Sequence, residues 1–434
     1  MTNIKLVSKK LIKPCTPTPQ NLKNYKLSFI DEVSPQMEVG VILFYPLSNQ
    51  KRSCLEESFA KILVQFYPLA GRYNSNDCCV DCSDQGAGFV IAEALEIELI
   101  DLIAERNLEK LEALSPPCNR FQENEATDPL LSIQITKFKC GGLAISISVP
   151  HRIFDASSLE TFIAAWSNAN KSELEGKFMM TISPNFDSPS FFPAKNQRKK
   201  VEESKTTETS KSVVRKFSFN KESITSLISN LRPDHGKQRI PRLRVVTALI
   251  AKALIGLDEV KQGGESRPCI VVQAVNIRGR TTPPLPKHSC GNLVILSPSR
   301  CMDGIETKDM GIQELVRLLG DAIDKSVADC GEIMSAGEEG LSNIIIKPVA
   351  DAYRRFVSEE ANVIWFSDWS KFGFYEADFG WGKPVWASIV EVPGNNFVVF
   401  MEKKEGTEIE AWVNLDKTDM LLFEQDEEIR FFTS

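Results

Sequence analysis

Strand-like and helix-like segments alternate along both halves of this chain, which places it in the α/β class. Val39-Gly-Val-Ile-Leu-Phe-Tyr45 is a short apolar run ended by Pro46. Leu55, Phe59, Ile62, Leu63 and Phe66 recur at helical spacing and stop before Pro68. Residues 130–138 alternate apolar with polar, Cys140-Gly-Gly142 makes a turn, and Leu143-Ala-Ile-Ser-Ile-Ser-Val149 alternates again. That pattern predicts a hairpin of half-buried strands. Pro150 ends the second strand and His151 follows at once; residues 157–166 then read as an amphipathic helix. In the second half the pattern predicts a strand over 213–219, a helix from Asn220 to Ser229 and another over 244–257. Cys269-Ile-Val-Val-Gln-Ala-Val275 reads as a buried strand, and late strands are expected over 397–401 and 408–413.

With 434 residues the chain exceeds what one hydrophobic core accommodates, so two domains are expected. Residues 184–211 hold three prolines and the basic run Arg198-Lys-Lys200, with little apolar content after Pro193. They read as an exposed crossover between domains at 1–183 and 212–434. Apolar residues at 42% and charged residues at 25% are ordinary for a globular chain. A net charge of −7 argues against a nucleic-acid binder, while leaving room for a basic patch that holds one phosphorylated co-substrate. Met1-Thr-Asn-Ile-Lys-Leu-Val-Ser-Lys-Lys10 lacks the apolar core of a signal peptide. No run approaches the roughly 18 apolar residues of a membrane helix. The 11 cysteines follow no repeating frame, so a cytoplasmic protein with free thiols and no membrane association is expected. Cys78-Cys79-Val-Asp-Cys82 looks like half a metal site, but no second cluster completes four ligands, and no metal is expected.

The chain has three histidines. His235 sits in a polar turn and His288 in a proline-rich loop, where it reads as structural or substrate-lining. His151 lies at the end of a buried strand, where crevices open in α/β folds, and is the candidate general base. Asp155 stands four residues on. If that turn is helical, the two side chains share a face. If it is tight and non-helical, Asp155 points elsewhere and braces the loop. In Ala377-Asp-Phe-Gly-Trp-Gly-Lys-Pro384, two glycines bracket a tryptophan after an aspartate, which suits a sharply turned loop.

HxxxD (His151 to Asp155) in the first half with DFGWG (Asp378 to Gly382) in the second resembles the signature of the BAHD family of plant acyl-CoA acyltransferases. The resemblance covers nearly the whole chain. Leu27-Ser-Phe-Ile-Asp31, Phe66-Tyr-Pro-Leu-Ala-Gly-Arg72, Asn276-Ile-Arg-Gly-Arg280 with Thr-Thr-Pro-Pro-Leu285, and Gly291-Asn292 all resemble family segments. Lys13-Pro14 with Thr16-Pro-Thr-Pro19, Gln273-Ala-Val-Asn276 and Gly373-Phe-Tyr375 are similar to the indole-alkaloid acetyltransferases within it.

The resemblance implies a two-domain CoA-dependent acyltransferase fold of the chloramphenicol acetyltransferase-like kind, each domain a mixed sheet with flanking helices. It implies an enzyme, a monomer, that moves an acyl group from acyl-CoA, a co-substrate rather than a bound cofactor, to a small-molecule alcohol. The acetyl group and an indole-alkaloid acceptor come first, and malonyl-CoA second. His151 would take the hydroxyl proton. Ser367 and Trp369, in Phe366-Ser-Asp-Trp369, match the segment whose hydroxyl and indole N–H face the oxyanion. Asp155 would pair with Arg278 or Arg280 and brace the site. Asp378, Gly380, Trp381 and Gly382 would form a structural loop, and Lys252 and Thr247 would face the CoA phosphates. The sequence departs from the family at Ala156, at Ala251 and at Arg430. Arg430 either reaches solvent or reads a carboxylate on the acyl donor. A non-catalytic binding protein on the same fold is disfavoured because His, Asp, Arg and the oxyanion donors are all present. A hydrolase is disfavoured because no G-x-S-x-G elbow appears.

Overall fold

The computed structural model describes residues 4–46, 54–105, 111–116, 127–176, 182–194, 212–231, 240–390, 392, 394–403 and 406–433. His235, the basic run at 198–200 and most of the expected crossover lie outside the described residues. The chain forms two compact units, each around its own mixed sheet.

The first unit is built on a six-stranded sheet in the order β1-β6-β7-β8-β3-β13. Its strands are β1 (Lys5–Ile12), β3 (Glu38–Tyr45), β6 (Ala87–Ala94), β7 (Ser132–Phe138), β8 (Leu143–Pro150) and β13 (Trp386–Ile389). Only β6 and β7 run parallel; the other neighbours are antiparallel. A small sheet of β2 (Asn24–Lys26), β5 (Cys79–Asp81) and β4 (Arg72–Asn74) lies in the same unit. The β7–β8 hairpin forms as the turn at Cys140-Gly-Gly142 requires. Its second strand is buried along both faces over 143–149 rather than on one, and Ser146 and Ser148 are buried with the apolar residues.

Helices α1 (Phe29–Val33), α2 (Leu55–Gln65) and α3 (Ala156–Glu175) belong to this unit. Asp155 caps the start of α3 and Gly176, at φ 62°, closes its end in the left-handed conformation. The helix runs past Trp166, where the apolar pattern fades, because Ser167 and Asn170 are buried against the protein rather than exposed. Phe59 of α2, Phe162 and Trp166 of α3, and Phe89 of β6 form the aromatic centre of the core.

The second unit has a six-stranded sheet in the order β11-β10-β12-β14-β15-β9. Its strands are β9 (Ser212–Asn220), β10 (Cys269–Asn276), β11 (Val294–Pro298), β12 (Asn362–Asp368), β14 (Phe397–Glu402) and β15 (Glu408–Asp416). β10, β12 and β14 run parallel. Helix α4 (Arg242–Lys261) buries Val245, Val246, Leu249, Ile250 and Leu254 against Val271, Ile364, Val398 and Val413.

Neither unit is contiguous, and the expected division at 184–211 is corrected accordingly. Pro286–Leu293 and Phe372–Glu391, which includes DFGWG, belong to the first unit although they lie in the second half of the chain. The cause is strand pairing: β13, just after DFGWG, adds to the edge of β3 with Trp386 opposite Phe44 and Ile389 opposite Val41. Residues 184–194 also pack in the first unit. Asn185 bridges to Ser289, Pro193 to Ser28, and Ser188–Phe191 forms a helical turn.

Candidate active site

His151 follows β8 directly, and its backbone N–H donates to the Met37 carbonyl at 2.7 Å. Residues 151–153 form a turn, with the Ile153 N–H returning to Pro150 O at 3.0 Å. The turn is therefore tight and non-helical, and Asp155 is the extended N-cap that follows it rather than a neighbour on one helical face. Asp155 is buried. Its Oδ1 accepts from the Ser158 N–H at 2.8 Å and hydroxyl at 2.9 Å, and its Oδ2 accepts from the Leu293 N–H at 3.0 Å.

The imidazole of His151 meets Asn292. Nδ1 lies 2.9 Å from Asn292 Oδ1. Asn292 Nδ2 donates to the His151 carbonyl at 2.6 Å and to Asp31 Oδ1 at 2.9 Å, and the Asn292 backbone N–H donates to the same Asp31 oxygen at 2.7 Å. Burial lowers the His151 pKa below the usual 6.5, against the opposing pull of its own carbonyl, Asp155 and Asn292. A neutral imidazole at pH 7 follows. Burial pushes the Asp31 carboxyl up to about 6, although hydrogen bonds from Asn292 and Ser28 favour the carboxylate.

Leu27-Ser-Phe-Ile-Asp31 and Gly291-Asn292, which in the sequence only resemble family segments, meet beside the base. The local signal at Asp31 was readable. Ser28-x-x-Asp31 is a capping box, in which the Ser28 hydroxyl and Asp31 carboxylate exchange hydrogen bonds with each other's backbone N–H. Gly291 adopts φ +117°, and a Cβ there would meet Ser188 Oγ at 2.6 Å, so only glycine fits before Asn292.

The DFGWG loop is held from all sides in the same unit. Asp378 Oδ1 accepts from the N–H groups of Gly380 and Gly382 at 2.8 and 2.9 Å, and Oδ2 pairs with Lys171 Nζ at 2.7 Å. Burial alone would raise the Asp378 pKa, but Lys171 and the two glycine N–H groups outweigh it and keep the carboxyl below the usual range. Asn170 Nδ2 donates to Phe379 O at 2.7 Å, and the Tyr45 hydroxyl to Ala377 O at 2.8 Å. Phe379 meets Trp166 edge-on and stacks on Trp381. Every one of these contacts shapes the loop.

Of the remaining candidates, His288 lies in the first unit and the others in the second. Ser367 stands near the C-terminal end of parallel strand β12, where ligand crevices open in such sheets. Trp369 Nε1 donates to Ser367 Oγ at 3.0 Å, and the Trp369 backbone N–H to Phe400 O at 2.9 Å. Arg278 Nη1 donates to Asn276 Oδ1 at 3.1 Å, and Arg280 Nη1 to Asn276 O at 2.8 Å. Lys252 on α4 pairs with Glu428 at 2.6 Å. Thr247 is buried, with its hydroxyl donating to Leu243 O one turn back at 2.9 Å, so its placement lends no support to a phosphate contact. Arg430, on helix α5 (Glu427–Phe432), is exposed. His288 is half-buried, with Nδ1 3.5 Å from Thr161 Oγ1, and its backbone carbonyl accepts from the Asn185 N–H. Among the described residues, no group of three His, Cys, Asp or Glu could hold a metal, and no helix is long and apolar enough to cross a membrane.

The chain thus presents two mixed sheets with flanking helices and a neutral imidazole at a strand end. The profile of the Transferase family matches residues 2–430, and the chain belongs to that family, the plant BAHD acyl-CoA acyltransferases. It is 43% identical, over all of both chains, to the pelargonidin 3-O-(6-caffeoylglucoside) 5-O-(6-O-malonylglucoside) 4'''-malonyltransferase of Salvia splendens. It is 33% identical to vinorine synthase of Rauvolfia serpentina, over 96% of this chain and 95% of that protein. The crystal structure of vinorine synthase superposes with a TM-score of 0.82, covering 100% of this chain and 99% of the other.

Proposed function

We propose that this enzyme transfers a malonyl group from malonyl-CoA to a sugar hydroxyl of a glycosylated plant aromatic compound, with His151 as general base. The hydrogen bond between His151 Nδ1 and Asn292 Oδ1 carries the mechanism, because it leaves Nε2 as the proton acceptor of a neutral ring. Nε2 removes the hydroxyl proton as that oxygen attacks the thioester carbonyl. The tetrahedral species then collapses, the C–S bond breaks, and the proton passes from Nε2 to the departing sulfur. General-base help of this kind contributes about 10²–10⁴-fold. Oxyanion stabilisation is assigned to Ser367 and Trp369 on the family resemblance.

The choice of malonyl and of a glycoside rests on the 43% identity with the Salvia malonyltransferase over the full length of both chains. Acetyl transfer to an indole-alkaloid alcohol is the second reading, favoured by the 33% identity with vinorine synthase. The test is CoA release by the purified protein with malonyl-CoA or acetyl-CoA, each offered with glucosylated anthocyanins and with indole-alkaloid alcohols. Release that needs malonyl-CoA and a glycoside, and that His151→Ala abolishes, is the expected result. Release only with acetyl-CoA and an alkaloid alcohol establishes the second reading. Release that His151→Ala leaves intact removes the general-base mechanism.

A further inference from the structure

We infer that Asp31 is a positioning residue for the general base: it sets the orientation of the Asn292 amide, and the amide oxygen then holds His151 as the Nδ1–H tautomer. The inference rests on the reading of His151 as the base. It joins two segments, Leu27-Ser-Phe-Ile-Asp31 and Gly291-Asn292, that the reaction chemistry had left without a role.

An asparagine amide presents a donor and an acceptor of nearly equal shape, so its orientation must be argued from its partners. Asn292 Nδ2 lies 2.9 Å from Asp31 Oδ1 and 2.6 Å from the His151 carbonyl oxygen. A carboxylate and a carbonyl only accept. The NH₂ group therefore faces those two oxygens, and Oδ1 faces His151 Nδ1 at 2.9 Å. Because Oδ1 only accepts, Nδ1 carries the ring proton and Nε2 keeps its lone pair.

Asp31 can perform this task because it is itself fixed. It is fully buried, and its Oδ2 accepts from the Ser28 N–H at 2.8 Å and the Ser28 hydroxyl at 2.7 Å. Its Oδ1 accepts from both nitrogens of Asn292. The Asn292 backbone is fixed as well. Asp31 takes the N–H of Asn292 and Asp155 takes the N–H of Leu293, so two carboxylates grip consecutive peptide groups. The Ser158 hydroxyl donates to the Gly291 carbonyl at 2.9 Å and accepts from the Gly291 N–H at 3.1 Å. In Ser-His-Asp triads a carboxylate bonds the ring directly and sets its tautomer; here Asp31 acts through one intervening amide.

The test is the tautomer of His151, read by two-bond ¹H–¹⁵N correlation on protein labelled with ¹⁵N-histidine at pH 8, with the signal assigned by its loss in His151→Gln. In the unsubstituted protein Nδ1 should show the protonated-nitrogen shift and Nε2 the unprotonated one. In Asp31→Ala the amide loses its acceptor and is free to flip. The His151 pattern should move to mixed tautomers, and kcat should fall on the order of 10²-fold with each KM within about twofold. Asn292→Ala should give the same pattern, and stands in if Asp31→Ala does not fold. A protonated Nε2 in the unsubstituted protein would overturn the inference. So would an unchanged tautomer in folded variants, whatever their kcat, since Asp31 would then only tether the loop. If instead His151→Ala retains full turnover while the tautomer behaves as expected, the general-base reading fails and the positioning network stands.

Discussion

Asp155 Oδ2 accepts the backbone N–H of Leu293 at 3.0 Å, a hydrogen bond between residues 138 positions apart. The same side chain caps α3 through the Ser158 N–H. The aspartate of HxxxD therefore ties the turn that carries His151 to the loop that carries Asn292. Asp155→Ala removes a helix cap, worth about 0.5–2 kcal/mol, and leaves the Leu293 N–H buried without that acceptor, at a further cost of about 1–3 kcal/mol. Urea unfolding should show a loss in that combined range. Asp155→Asn retains one side-chain oxygen and should lose less.

The pH dependence has a definite sign. Burial places the His151 pKa below 6.5, and the neutral ring is the active form. Asp31 takes up its proton at about 6, which weakens the acceptor that holds the Asn292 amide. Both protonations lower the rate, so kcat/KM should be flat near pH 7 and fall on the acid side. Profiles measured from pH 5 to 8 check this; an acid limb centred above 7 would contradict it.

Gly380 and Gly382 lie at φ +101° and +105°, where an L side chain is strained. They differ in space. A Cβ at Gly380 would meet the Leu174 side chain at 2.9 Å, whereas at Gly382 nothing lies within 4 Å. Gly382→Ala should cost about 1–2 kcal/mol from backbone strain alone, and Gly380→Ala more. Thermal melts of the two variants should rank in that order.

If Ser367 and Trp369 supply the oxyanion donors, Ser367→Ala and Trp369→Phe should each lower kcat by about 10²–10³-fold with little change in KM. Trp369 Nε1 donates to Ser367 Oγ, so the pair acts as a unit and the double variant should lose less than the product of the two single losses.

Lys252 and Glu428 form a half-exposed ion pair, and such pairs contribute roughly 0–1 kcal/mol. Lys252→Ala should leave the melting temperature nearly unchanged. A rise in KM for acyl-CoA in that variant would therefore report a phosphate contact directly, and an unchanged KM would remove Lys252 from that role.

Local pattern alone determined the α/β class, the ends of seven strands to within about three residues, most of the α4 helix and the strand end at Pro150 before His151. Each follows from the period of apolar residues and the positions of proline and glycine. The two motifs identified the family and singled out one histidine of three. Only the tertiary structure decided which segments share a unit. β13 pairs with β3 across more than 300 residues, and it carries DFGWG into the first unit because an edge strand satisfies its backbone wherever a free edge lies. The same holds at the base. Asp31 and Asn292 are 261 positions apart, and no periodicity links them. Their pairing comes from burial, which requires a partner for each polar group without regard to its place in the chain.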